Sequence, residues 1–354
     1  MSFGNRGFNQ KGSAVRTVYR LLKLNHLIRN PRLKLASIAL AHAVGLRHLV
    51  VRLDPVVACN LRCTMCYFSD KQYVRTHKGI FSSDEIARIA ALLFPRALLV
   101  VVGCGAEPTL YKDFPEIVRL AKQHAVPNVS MVTNAQLLTE KHIEHLVDYG
   151  LDEIMISVHG TTRETYERFM AGASFEKLHA VLQTLRDVKS RRRSLFPRLR
   201  INYTVNSENI DELTALFDVF GDYDLSTLQI RPVMDLGGQY RDPIGTAELA
   251  KFRAVTAALG REAHVRGVTY LANVGDPTYT QPASSAVFQA VNRGISPEKV
   301  WREDFNWRNE TYEDYCIRTR WIRKLISAAI TGRDEIDTSD IGFGKYAARY
   351  DVNL

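Results

Sequence analysis

From residue 48 onward the chain alternates short β-branched apolar runs with longer amphipathic ones, and this alternation constrains its fold more than any other feature. Strands are expected near 48–56, 97–103, 128–133, 152–158, 198–205 and 226–232, where Val, Ile and Leu dominate. Helices are expected near 82–94, 113–125, 139–149, 175–189 and 209–219, where apolar residues recur at helical spacing. Strands joined by helices return to the same end and so run parallel. The expected fold class is α/β, a parallel sheet with crossover helices, and no repeat of the usual solenoid periods interrupts it.

Both flanks differ from this core. Residues 1–53 hold ten Lys or Arg and no Asp or Glu, while the remaining 301 residues hold 37 basic and 38 acidic side chains, so the net +9 lies in the N-terminal segment. Residues 1–12 read as a tail and 13–28 as a helix capped by Ser13. Asn30-Pro31 opens a second helix that Gly45 ends. After about 235, Gly237 to Pro243 breaks the alternation. A helix (246–265), a short strand (268–272), a Pro/Ser/Thr-rich loop (275–285) and a late helix (310–330) follow. The expected divisions are a basic helical segment over 1–47, a core over 48–235 and a mainly helical extension over 236–354.

Inside the core, at the end of the first strand, Cys59, Cys63 and Cys66 follow one another as C-x3-C-x2-C. Three thiolates from one loop fall short of a closed tetrahedral zinc site, and no fourth Cys or His lies close by in sequence. A four-iron, four-sulfur cluster held by three thiolates keeps one iron open to a small molecule. A zinc knuckle completed by a distant residue such as Cys316 is the structural alternative.

The strand, cysteine loop, helix and second strand ending in Cys104-Gly-Ala-Glu-Pro108 together resemble the radical S-adenosylmethionine (radical SAM) enzymes. Val129 to Leu138 is similar to that family's third strand and its turn. Asp152 to Gly160 is similar to the fourth strand, and Glu164 to Arg168 with Ala173 to Lys177 to the helix after it. The resemblance covers residues 48 to about 235. It implies a partial (β/α)6 TIM-like barrel with an N-terminal helical segment and a small C-terminal α/β extension, its reactive residues on loops at the carboxyl ends of the strands.

By the same resemblance Cys59, Cys63 and Cys66 are the catalytic and metal-binding residues of a 4Fe-4S cluster, and Met65, Gly105, Glu107, Asn134, Ser157 and Arg168 contact S-adenosylmethionine. The implied activity is reductive cleavage of that cofactor to a 5′-deoxyadenosyl radical, which abstracts hydrogen from a substrate the sequence does not name. The alternative is a non-catalytic metal-binding structural or regulatory protein that retains the barrel.

Particular positions depart from the family pattern. Two glycines of the Gly-Gly-Gly-Glu-Pro turn are Cys104 and Ala106, which restricts that backbone. His159 stands where many relatives carry Asp, and Met170 where they carry Arg. Arg231 ends the sixth strand as either a pocket residue or a rim charge. Cys104 reads as a buried thiol or a hydrogen-atom donor, and Cys316 as a helix-packing residue. The Cys-rich C-terminal extension of peptide-modifying relatives is absent.

The hydrophobic fraction of 46% and charged fraction of 24% are those of a soluble globular protein, and no run suffices to span a bilayer. Five scattered or clustered cysteines fit a reducing compartment, and no signal peptide is visible, so a cytoplasmic location is expected. A reductant protein such as flavodoxin or ferredoxin is the implied partner. The basic segment 13–47 either caps the barrel or touches an anionic membrane surface, and an organellar transit segment has the same composition. Arg191 to Arg193 read as a solvated loop with no interleaved aromatics, so nucleic acid is not an expected partner.

Overall fold

The computed structural model describes residues 28, 30–233, 244–272 and 286–332. The expected helix over 13–28, the Gly237 to Pro243 break and the 275–285 loop lie largely or wholly outside them. Helix α1 (Pro31–Ala43) begins where the sequence places it, with the Asn30 side chain accepting from Arg32 N at 2.9 Å. Gly45, at φ +79°, ends that segment in a conformation L side chains avoid.

Strand β1 (Leu49–Leu53) follows, then the cysteine loop and the short helix α2 (Lys71–Thr76). Helix α3 (Ser83–Leu93) starts on a capping box of Ser82 and Glu85, buries Ile86, Ile89, Ala90 and Leu93, and leads to β2 (Ala97–Val102). Helix α4 (Phe114–Gln123), strand β3 (Asn128–Thr133), helix α5 (Glu140–Asp148) and strand β4 (Glu153–Val158) continue the pattern. Helices α6 (Arg163–Phe169) and α7 (Phe175–Arg191) then precede β5 (Arg198–Val205). Arg191 and Arg192 end α7 in ion pairs with Glu140 and Asp148 of α5, as solvated surface groups.

The expected helix over 209–219 is mostly a 3-10 turn (Asp211–Ala215) followed by the short α8 (Leu216–Phe220), before β6 (Leu225–Pro232). Helix α9 (Thr246–Val265), strand β7 (Thr269–Ala272), helix α10 (Ala286–Val291) and strand β8 (Asn292–Ile295) come next. The expected late helix is two, α11 (Tyr312–Arg318) and α12 (Trp321–Thr331), broken at Arg320, which adopts φ +54°. The break lets Tyr312, Tyr315 and Cys316 pack from one axis and Trp321, Leu325 and Ala328 from another.

All eight strands form one parallel sheet in the order β7-β6-β5-β4-β3-β2-β1-β8. The fold is the expected open α/β barrel, with eight strands rather than six: the region after 235 adds β7 beside β6 and β8 beside β1. Among the described residues β7 and β8 do not pair, so the barrel stays open. Strand β8 escapes a sequence reading because Asn292-Arg-Gly-Ile lacks β-branched alternation.

β8 is anchored by its own Arg293, which is 1% exposed. Its guanidinium donates to the carbonyls of Gln289, Ala290 and Asn292 and to the Tyr312 hydroxyl, and lies 5.2–5.4 Å from the ring centroids of Trp301, Tyr312 and Trp321. This desolvated cation joins the C-terminal helices to the sheet edge. Helix α1 packs on α12 and α10 through Leu35, Ala39 and His42, leaving Leu33, Leu40 and Val44 exposed.

The two faces of the sheet differ sharply. Leu53, Val102, Met131, Ile156, Ile201 and Ile230 face the helices and are fully buried. The opposite parity carries Val50, Arg52, Leu99, Val101, Ser130, Val132, Glu153 and Met155 on β1 to β4, and Arg200, Asn202, Gln229 and Arg231 on β5 and β6. The concave wall is mixed on β1 to β4 and polar on β5 and β6, with Arg200 and Arg231 both donating to Gln229 Oε1 and Arg200 3.5 Å from Glu153. No described helix is long and apolar enough to cross a membrane.

Candidate active site

The loop carrying Cys59, Cys63 and Cys66 leaves the carboxyl end of β1 and is clamped from two sides. On one side Glu107 N donates to Ala58 O at 2.9 Å. On the other, Arg62 N donates to Ala171 O at 2.9 Å and Thr64 N to Phe169 O at 3.0 Å. The end of β2 and the end of α6 thus hold the thiol loop between them.

The sulfurs lie within electrostatic reach of one another. Burial pushes the Cys59 thiol up to about 12; the Leu61 N–H works against this, and Glu107 and Cys66 add to the rise. Burial raises Cys63 as well, and Cys66 and Cys59 reinforce it. Metal ligation requires all three thiols as thiolates, so a cluster bound here would displace their protons. Among the described residues no three His, Cys, Asp or Glu converge tightly enough for a single metal ion. A cubane spreads its thiolates over separate irons, so the donor set fits the cluster better than it fits zinc. Cys316, the candidate fourth zinc ligand, is buried in α11, and burial pushes its thiol up to about 11.

Glu107 is 3% exposed and accepts four hydrogen bonds. Its Oε1 receives Thr109 N (3.2 Å), Thr109 Oγ1 (2.6 Å) and Thr133 Oγ1 (2.7 Å), and its Oε2 receives Asn134 N (2.8 Å). Burial raises its pKa against the pull of these donors. The Asn134 side chain donates to Asn60 Oδ1 at 2.9 Å and approaches Cys59 Sγ at 3.8 Å. Cys59, Glu107 and Asn134 are therefore one connected unit.

The turn before Glu107 is organised by a residue that sequence reasoning missed. Asp54, 6% exposed at the end of β1, accepts from Cys104 N (2.7 Å), Gly105 N (2.9 Å) and Ala106 N (3.3 Å). One carboxylate collects three consecutive amides, so a turn with two of its glycines replaced keeps its shape. Burial raises the Asp54 pKa, and the same amides oppose the rise. The signal was an acidic residue directly after a β-branched strand, in Leu53-Asp54-Pro55. Gly105 also accepts from the Tyr67 hydroxyl, which ties the turn to the thiol loop. Gly103 is irreplaceable by geometry: at φ +78°, an added Cβ would lie 2.5 Å from Pro108 Cγ and from Val132 O.

The remaining expected residues scatter around this unit. Met65 is buried against Phe169 and Val233 and bridges the thiol loop to the end of β6. Ser157 is half-buried on the concave wall, in register with Asn202. Arg168 is exposed and ion-paired with Glu208 at 2.5 Å, with no contact to the thiol loop among those described. Met170 is buried, and His159 is buried with an unpartnered Nδ1, its pKa lowered to about 4 by burial. Cys104 approaches Arg52 Nη1 at 4.0 Å, and burial pushes its thiol up to about 12, so it stays protonated.

An open parallel barrel whose carboxyl edge presents a three-thiol loop defines a class of cofactor-dependent enzymes. Residues 53–219 match the family model of the Radical SAM superfamily. The family's cofactors are a 4Fe-4S cluster and S-adenosylmethionine. A probable GTP 3′,8-cyclase of Methanococcus maripaludis is 29% identical over 167 residues, 47% of this chain and 53% of that protein. One from Saccharolobus solfataricus is 28% identical over 187 residues, 52% of this chain and 57% of that protein. The chain thus spans about half the length of these curated relatives. In fold it is similar to Streptococcus suis SuiB bound to S-adenosylmethionine (TM-score 0.61, 15% identity, 92% of this chain and 79% of that one). It is also similar to anSMEcpe with bound AdoMet and Cp18Cys peptide (TM-score 0.56, 17% identity, 79% and 84%).

Proposed function

We propose that this chain is a radical SAM enzyme in which Cys59, Cys63 and Cys66 hold a 4Fe-4S cluster and the Glu107 and Asn134 unit, with Gly105, Met65 and Ser157 around it, receives S-adenosylmethionine. The observation that carries the reading is the clamped thiol loop joined to a buried carboxylate through Asn134. A 4Fe-4S cluster held by Cys59, Cys63 and Cys66 would supply one-electron reduction of bound S-adenosylmethionine, the source of radical chemistry towards the substrate. The chain's part is positional. Glu107 offers buried negative charge to an ammonium, Asp54 holds the turn that presents it, and Met65 with Phe169 and Val233 excludes water at the mouth. Arg168 takes a rim position in this reading.

The polar part of the concave wall, Arg200, Gln229 and Arg231 on β5 and β6, supports a substrate with at least one polar or anionic group. An electron donor of the flavodoxin or ferredoxin class is the partner the chemistry requires. A secondary reading, peripheral contact of 13–47 with anionic lipid, is supported by the exposed Leu33, Leu40, Val44 and Leu46, and vesicle sedimentation tests it.

The test is reconstitution with iron and sulfide, then dithionite and S-adenosylmethionine. 5′-Deoxyadenosine is expected from the wild type, and neither cluster nor product from the Cys59→Ala/Cys63→Ala/Cys66→Ala variant. A variant that keeps its iron and sulfide overturns the ligand assignment.

A further inference from the structure

The thiol loop also borders a cavity that neither Glu107 nor Asn134 lines. This cavity, of about 350 Å3, lies between the loop and the segment 68–80, and its walls include Val56, Ala58, Cys59, Phe68, Val74 and Ile80. Cys59 thus meets Asn134 on one side and lines this cavity on another. Arg62, His77 and Lys78 also line it, and Ile80 is 61% exposed.

The surface around this cavity is strongly basic. Residues 61–80 carry Arg62, Lys71, Arg75 and Lys78, all exposed, against the single acid Asp70. Asp70 is committed to capping α2 through Gln72 N at 2.7 Å, and Glu298, which reaches the segment from beyond β8, accepts from Lys78 N at 2.7 Å. The local carboxylates therefore serve backbone amides. Arg62 is held rigidly by the carbonyls of Cys59 (2.7 Å) and Leu61 (2.8 Å), which fixes one cation directly over the thiol loop. An apolar hollow with Arg62 and Lys78 at its edge and Cys59 in its lining is complementary to an apolar tip within an acidic surface.

We infer that this face is the docking surface for an acidic one-electron carrier protein of the flavodoxin or ferredoxin class. The inference rests on the radical SAM reading above and adds the place of electron entry. One electron leaves the carrier's reduced centre and is taken up by the oxidised cluster on the thiol loop; no bond forms or breaks and no proton moves in that step. Arg62, Lys71, Arg75 and Lys78 steer and orient the carrier, and the hollow seats its tip. Entry from this side leaves the concave wall clear for substrate.

The test uses the full chain, with flavodoxin as the probe. Lys71→Glu/Arg75→Glu/Lys78→Glu changes only exposed side chains, and Lys141→Glu on α5 is the matched control. Flavodoxin binding to the unreconstituted chain is measured at about 50 and 300 mM salt. Reduction of the reconstituted protein is then followed by stopped flow with flavodoxin or with dithionite.

The expected result is an association rate at low salt at least about tenfold lower in the triple variant, with a flattened salt dependence. The control should match wild type, and dithionite should reduce all three proteins equally. Should the triple variant misfold, Ile80→Ser supplies the second arm, with weaker flavodoxin binding and unchanged dithionite reduction expected. Wild-type flavodoxin rates and salt slope in a folded triple variant overturn the inference. So does selective loss of binding to phosphatidylglycerol vesicles, which would assign the face to lipid. If dithionite fails to reduce the reconstituted wild type, the radical reading itself falls and the docking site falls with it.

Discussion

Thr133→Val isolates the hydrogen bond that ties the end of β3 to the buried carboxylate. Val keeps the shape and strand preference of Thr and removes one hydroxyl in a site that is 2% exposed. That hydroxyl donates to Glu107 Oε1 at 2.7 Å and accepts from Ala135 N at 3.0 Å. Losing a bond to an ionised acceptor costs about 1.5–3 kcal/mol, and leaving the Ala135 N–H unpaired costs about 1–3 kcal/mol. Burying the added methyl returns under about 1 kcal/mol, so a net loss of about 3 kcal/mol is expected.

Urea unfolding should show a lower midpoint at unchanged slope. The double variant with Glu107→Gln should be more stable than the sum of the single losses implies, by more than about 0.5 kcal/mol. The pH dependence has a defined sign. Burial raises the Glu107 pKa in the folded state, so its contribution is fully present below the ordinary carboxylate value and is lost as pH rises towards the folded value. Thr133→Val removes a donor that opposed that rise and should steepen the loss. Additive energies in the double variant, or a loss below about 0.5 kcal/mol, refute the reasoning.

Other expectations follow from the same geometry. Glu107→Gln should retain the cluster and weaken S-adenosylmethionine binding by about 1.5–3 kcal/mol, roughly 10- to 150-fold in Kd, measured by titrating the reconstituted protein. Gly103→Ala should cost about 2–4 kcal/mol, because its Cβ meets Pro108 and Val132 O in a left-handed turn, and should lower iron incorporation. His48 is pushed down to about 4 by burial, with Leu46 O opposing and Arg293, His42 and Arg96 adding to the fall. Its stabilising share is therefore present above the ordinary imidazole pKa and lost as pH falls from about 6.5 towards 4, on the order of 3 kcal/mol. His48→Gln should flatten the stability difference between about pH 7 and 5, read from urea midpoints.

The alternation of apolar strands with capped helices was legible because each signal is local: Ser82 with Glu85, Asn30 with Pro31, and the Val-rich runs at 97–102 and 128–133. The thiol loop was legible for the same reason, since its three cysteines span eight residues. What stayed hidden is non-local. Asp54 lies fifty residues from the amides it collects, so nothing near it in sequence marks its partner. Strand β8 depends on Arg293 inside a ring of aromatics supplied by later residues, and four residues containing Gly and Asn have little strand preference of their own. Arg168 shows the same limit from the other side. A motif position fixes a neighbourhood along the chain, whereas the direction of the side chain depends on Glu208, forty residues away.

The division between the two sides of the sheet has an evolutionary consequence. Stability resides in residues such as Leu53, Val102, Ile156 and Ile230, while Arg52, Asn202, Gln229 and Arg231 alternate with them on the same strands and point the other way. The second set is held by hydrogen bonds rather than by apolar packing, since Arg200 and Arg231 both donate to the buried Gln229, so its members can change only together. The chain is in this sense two overlaid texts read at odd and even positions. One is written in apolar volume and changes residue by residue, the other in paired polar groups and changes by networks.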